Sequence, residues 1–110
     1  MPWALILQVI AALLPLLLEW LTGPGGRLEK AAGKLGIPAG PATGADDLAR
    51  VFDQAERDLT WWDVLRGRRR QLRAARRATL KRAPEIVGAA YGAGSVVPPL
   101  TDAETRELGG

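Results

Sequence analysis

Apolar residues run almost unbroken over residues 3–20, WALILQVIAALLPLLLEW, and this stretch governs how the rest of the chain reads. A hydrocarbon core about 30 Å thick needs about 20 helical residues. Residues 1–22 meet that length and predict one hydrophobic, transmembrane helix. Trp3 and Trp20 stand at its two ends, where amphipathic rings favour the headgroup region. Leu5, Ile6, Val9, Leu13, Leu16 and Leu17 would face lipid with them. Gln8, Ala11, Ala12, Pro15 and Glu19 recur at spacings of three and four and share the other face. Small and polar residues mark the side of a membrane helix that meets another helix. Pro15 lacks a backbone donor and predicts a kink. Two other readings compete. A helix apolar nearly all round is also the core helix of a soluble assembly. A cleaved signal peptide fits less well, because no Lys or Arg precedes the run and LTGPGG is a poor cleavage site.

Beyond this stretch the pattern changes. Residues 23–44 read as a linker opened by the helix-stopping TGPGG and closed by GIPAGPATG. Between these, RLEKAAGKL puts Leu28, Ala31, Ala32 and Leu35 on one face and predicts a short amphipathic helix. Residues 45–83 predict a long charged helix. Thr43 and Asp46 supply its start signal, and Leu48, Phe52, Ala55, Leu59 and Trp62 repeat as a heptad-like packing seam. At 1.5 Å per residue, residues 46–83 would make a rod roughly 57 Å long. Gly67 is its weak point, so two helices broken there are the alternative, and Pro84 ends it. Residues 84–110 form an irregular Gly/Pro-rich tail, apolar at Ile86, Val87 and Tyr91. It is extended at Pro98–Pro99, with a last short helix signalled by Thr101 and Glu104. The fold class is mainly α.

Charge divides the long segment. Asp46, Asp47, Asp53, Glu56, Asp58 and Asp63 dominate its first half. Arg66, Arg68, Arg69, Arg70, Arg73, Arg76, Arg77, Lys81 and Arg82 fill its second half with no acid among them. Arg66, Arg70, Arg73, Arg77 and Lys81 follow one helical face, and Arg69 and Arg76 widen the stripe. Arginine clusters attract phosphate by charge and bidentate hydrogen bonding. The phosphate belongs either to nucleic acid or to the headgroups of an anionic leaflet. The competing reading is a solvated face, or one that meets protein acids. Trp62 falls on the seam, whereas Trp61 points elsewhere, as an interfacial anchor or a base-stacking group.

The composition excludes more chemistry than it suggests. The 110 residues contain no histidine and no cysteine, which removes the commonest general base, the commonest metal ligand and every thiolate site. Ser95 has no histidine to activate it. Gly88, Gly92 and Gly94 lack the lysine and the strand–loop–helix setting of a phosphate-binding loop. No enzyme, cofactor, metal or small-molecule substrate is expected. Every Lys and Arg follows the apolar stretch, so the positive-inside rule puts the carboxy-terminal portion on the cytoplasmic side or inside a virion.

These features point to a small membrane-anchored structural or assembly protein, either an accessory subunit of a membrane complex or an internal virion protein. Its partners would be membrane lipid, protein subunits and, through the basic helix, nucleic acid. A proline-bearing span (Pro15) followed by arginines is similar, in organisation alone, to phage holins and the single-gene lysis proteins of small phages. That organisation implies membrane lysis as a second function. A third is a soluble nucleic-acid-binding assembly protein with its first helix buried between subunits.

Overall fold

Pro15 decides the path of the apolar stretch. Its missing N–H and its ring exclude it from a helix interior, and it forces the residue before it towards extended backbone. Leu14 accordingly adopts φ −86° and ψ 152°, and helix α1 (Ala4–Leu13) stops there. The chain resumes as a single 3-10 turn (Leu16–Leu18) and a four-residue helix α2 (Glu19–Thr22). The computed structural model describes residues 3–92 and 94–109. Met1 and Pro2, the start of the expected 1–22 segment, and Gly110, the end of the expected tail, lie outside the described residues. The expected single span is therefore corrected to two short helices joined by a bend. No helix among the described residues is long and apolar enough to cross a membrane.

The rest of the chain wraps these pieces. Helix α3 (Arg27–Leu35) has the bounds its pattern predicts, with Leu28, Ala31 and Ala32 buried. Helix α4 (Ala45–Arg57) buries Leu48, Val51, Phe52 and Ala55. Then come α5 (Trp61–Leu65), α6 (Arg68–Lys81), α7 (Ala83–Ala90) and α8 (Asp102–Gly109). The fold is mainly helical, with no strand among the described residues. Helix α1 packs on α7, α3 on α4, and α6 lies between α4 and α8. Trp3, Ile6, Ile10, Leu14, Leu18 and Leu21 are the centre of the core, against Leu28, Phe52, Leu72, Ile86 and Leu108. Burying one such side chain contributes about 1.5–3 kcal/mol, so the stretch is a main source of the fold's stability.

The long rod is also corrected. The longest dimension of the molecule is 39 Å, too short for it. Two local signals break it. The first is Thr60-x-x-Asp63. The Thr60 hydroxyl accepts from the Asp63 N–H at 3.3 Å, and the Asp63 carboxylate accepts from the Thr60 N–H at 3.0 Å. This reciprocal cap starts a new helix in the middle of the expected one. The second is Gly67, at φ 77°. A Cβ there would meet no neighbouring atom, so only backbone conformation resists substitution. Gly67→Ala is expected to cost about 1–2 kcal/mol, read as a lower urea midpoint at unchanged slope. Pro84 does not end the long helix. Helix α6 ends at Lys81, and Pro84 sits in the first turn of α7, where its lost donor is harmless.

Candidate interaction site

Folding turns the acidic and basic halves of the chain against each other. Arg73 donates to Glu56 through Nε at 2.9 Å and Nη2 at 3.2 Å, and Arg76 lies 3.1 Å from Asp53. Partner numbers fall along α6 as they rise along α4, so the two helices run antiparallel. On the other flank Arg77 donates to Glu107 of α8 at 2.8 Å. These pairs are largely exposed, and each contributes at most about 1 kcal/mol. Together they engage three of the seven cations in the stripe that the sequence offers to phosphate. The Glu56 carboxyl is held below its usual value chiefly by the Arg73 hydrogen bond, with Arg69 and Arg76 adding to the field.

What remains is concentrated at the tip where α5 meets α6. Arg66, Arg69 and Arg70 are exposed and have no carboxylate within ion-pair distance among the described residues. No acid stands in the first turn of α6, so these cations crowd the positive end of its dipole. A groove of about 430 Å³ is lined by Arg69 and Arg70 together with Val64, Gly67, Arg73 and Arg77. Lys81, at the far end of the expected stripe, is exposed and lies outside this groove.

Helix α5 is held in place by its one buried side chain. Asp63 accepts from Arg27 at 2.9 Å, from Arg68 at 2.6 Å, and from the N–H and hydroxyl of Thr60. Those bonds, the Thr60 N–H first, pull its carboxyl down to about 2 from an ordinary 3.8. The Arg68 guanidinium also covers the Trp20 ring, 4.9 Å from its centroid. Arg68 is thus a structural strut, not part of the free charge.

The expected site residues sort as follows. Of the lipid-facing set, Trp3 and Ile6 are buried, and Val9, Leu13 and Trp20 are half-buried against the core. The Trp3 indole N–H donates to the Ile37 carbonyl at 2.6 Å, an inward anchor instead of a headgroup contact. Only Leu5, Leu16 and Leu17 of that set are exposed. The expected packing face is turned outward at Gln8, Ala11 and Ala12, with Pro15 half-buried. Of the heptad seam, Leu48, Phe52 and Ala55 are buried and Leu59 is half-buried. Trp62 leaves the seam because the cap at Thr60 restarts the helix in a new phase. Its ring stacks on Trp61 at 4.1 Å, and both are more than half exposed.

Two residues that do much of the holding, Asp63 and Arg82, are not among the expected site residues. The signal for the first was the Thr60-x-x-Asp63 spacing. For Arg82, nothing in the basic run marks it as different from its neighbours. Comparison of the chain with protein-family models, with curated proteins and with solved structures finds no match.

Proposed function

We propose that this protein is a non-enzymatic binding and assembly protein that docks on phosphate-bearing partners through the arginine groove at the α5–α6 tip. The observation that supports this is the selective pairing of its arginines. Folding supplies acids to Arg73, Arg76, Arg77 and Arg82, and leaves Arg69 and Arg70 exposed along the groove and Arg66 exposed at the end of α5. Planar guanidinium groups at that density suit phosphate oxygens. The lack of histidine and cysteine in the sequence supports binding over catalysis.

A single-pass anchor formed by residues 3–20 would require Trp3, Ile6, Ile10, Leu14 and Leu18 to leave the core. Attachment through the tip requires no such rearrangement. The lytic reading depends on the same span and carries the same cost. Docking from the surface is therefore the form of the anchoring and assembly role that the fold favours.

The test uses a fluorescent single-stranded oligonucleotide and a soluble inositol polyphosphate as probes. The intact protein should bind both, with affinity falling steeply as salt rises. Arg66→Gln/Arg70→Gln should weaken binding by about tenfold or more and flatten the salt dependence, while Lys81→Gln, at the far end of the stripe and outside the groove, changes little. Equal binding by all three proteins, or none at low salt, would overturn the proposal.

A further inference from the structure

Helix α5 is inverted with respect to a soluble protein. Its charged residue, Asp63, is 4% exposed, while Trp61, Trp62, Val64 and Leu65 are 63%, 58%, 37% and 67% exposed. Four of its five side chains are large and apolar, and all four face outward. A scattered surface leucine needs no explanation, but four adjacent apolar residues on one short helix mark a surface that another phase or molecule covers. The buried Asp63 makes the arrangement obligatory. Its bonds to Arg27, Arg68 and Thr60 fix the only inward-facing position and force the others out.

We infer that α5 is a membrane-insertion element, with Trp61, Trp62, Val64 and Leu65 entering the interface of an anionic bilayer while Arg66, Arg69 and Arg70 hold lipid phosphates. This rests on the phosphate-docking reading above and names the surface that carries the phosphate. Two features favour lipid over nucleic acid. Val64 and Leu65 have no ring on which a base could stack, and a phosphodiester backbone offers their apolar surface nothing. The two indoles stack on each other, at 26° between planes, so each already spends one face within the protein. A bilayer interface satisfies every part of the tip: indoles favour the headgroup level, aliphatic side chains the acyl boundary, and arginines the anionic surface. The arginines follow α5 directly in the chain, so the charges stand at the edge of the apolar knob. Arginine stems can then lie along apolar surface with their heads at phosphate depth.

The experiment is co-sedimentation of the full chain with vesicles of phosphatidylcholine alone and of equal parts phosphatidylcholine and phosphatidylserine. Three proteins are compared: the intact chain, Val64→Gln/Leu65→Gln and Arg66→Gln/Arg70→Gln. Both changed pairs are exposed, and circular dichroism checks that each variant keeps its helices. The intact chain should bind the anionic vesicles and not the neutral ones. Lipids brominated near the top of the acyl chain should quench its fluorescence, since Trp61 and Trp62 enter the interface. Val64→Gln/Leu65→Gln should bind those vesicles about tenfold more weakly. Arg66→Gln/Arg70→Gln should lose about thirtyfold on vesicles, near fivefold for each charge. Oligonucleotide binding without vesicle binding would overturn the insertion element and leave phosphate docking standing. Vesicle binding indifferent to Val64→Gln/Leu65→Gln, or equal on neutral vesicles, would overturn it as well. Binding to neither probe would overturn both readings together.

Discussion

Replacing Arg82 with alanine is expected to lower the stability of the bundle by about 3–5 kcal/mol and to release the carboxy-terminal segment. Arg82 is 3% exposed, and all five of its guanidinium donors are engaged. Nε donates to the Pro98 carbonyl at 2.7 Å. Nη1 reaches the Ala78 carbonyl and Glu104, and Nη2 reaches the Pro99 carbonyl and Glu104, at 2.6 to 2.9 Å. The chain from Pro98 to α8 has no strand or long helix to hold it; Arg82, at the α6–α7 junction, ties down Pro98, Pro99 and Glu104, while Gln71 and Arg77 hold the end of α8. Removing Arg82 takes a donor from three carbonyls and a carboxylate, which is why breaking such a pair costs far more than the pair itself contributes. Urea unfolding reads the loss, and faster proteolysis within residues 94–109 reads the release. A loss below about 1 kcal/mol would show that solvent takes over the role of Arg82.

The same clamp has a pH signature. The Arg82 hydrogen bonds, helped by the Thr101 N–H and hydroxyl, hold Glu104 at about 2 against an ordinary 4.5. A carboxyl depressed on folding contributes stability that is full above its unfolded value and lost as pH falls through its folded one. The stability gap between the intact protein and Arg82→Ala should therefore be widest above about pH 4.5 and narrow steadily towards pH 2. A gap that stays constant over that window would contradict the assignment.

The second large effect separates neighbours in the apolar stretch. Leu18 is fully buried and Leu16 is 86% exposed, although both belong to the same leucine run. Leu18→Ala should cost about 2–5 kcal/mol, the transfer term plus the cavity it leaves. Leu16→Ala should stay within about 0.5 kcal/mol of the intact protein. In a lipid-embedded helix the two leucines would be near equivalents, so similar losses would contradict the bundle.

The helical class, the bounds of α3, the buried face of α4 and the Thr101–Glu104 cap were legible in the sequence, because each follows from spacing within one turn or two. The division of the first stretch was also written there. Pro15 predicts a kink, since a membrane helix tolerates one, but in this bundle the same residue ends the helix. Hydropathy alone does not distinguish a core from a bilayer, because both remove the same side chains from water. The heptad seam failed at Trp62 for a local reason. A side-chain cap at Thr60 outranks a continuing apolar period, and the phase of the helix restarts after it. The arginine stripe was legible as a stripe and not as its parts. Whether Arg73 or Arg70 finds an acid depends on α4 folding back antiparallel, a long-range event that helical spacing does not encode.

The apolar amino-terminal stretch is the core of a folded bundle, with charge and exposed tryptophan left for the tip. The sequence has no cysteine, so one introduced thiol is a unique reporter. Ile10 is 1% exposed and its neighbour Ala11 is exposed, one residue apart on α1. The decisive measurement is the maleimide labelling rate of Ile10→Cys and Ala11→Cys in the full chain, with and without vesicles. Ala11→Cys should label rapidly and Ile10→Cys slowly, accelerating only with denaturant, whether or not lipid is present. Equal protection of both thiols in vesicles would place the stretch in the hydrocarbon and contradict the account.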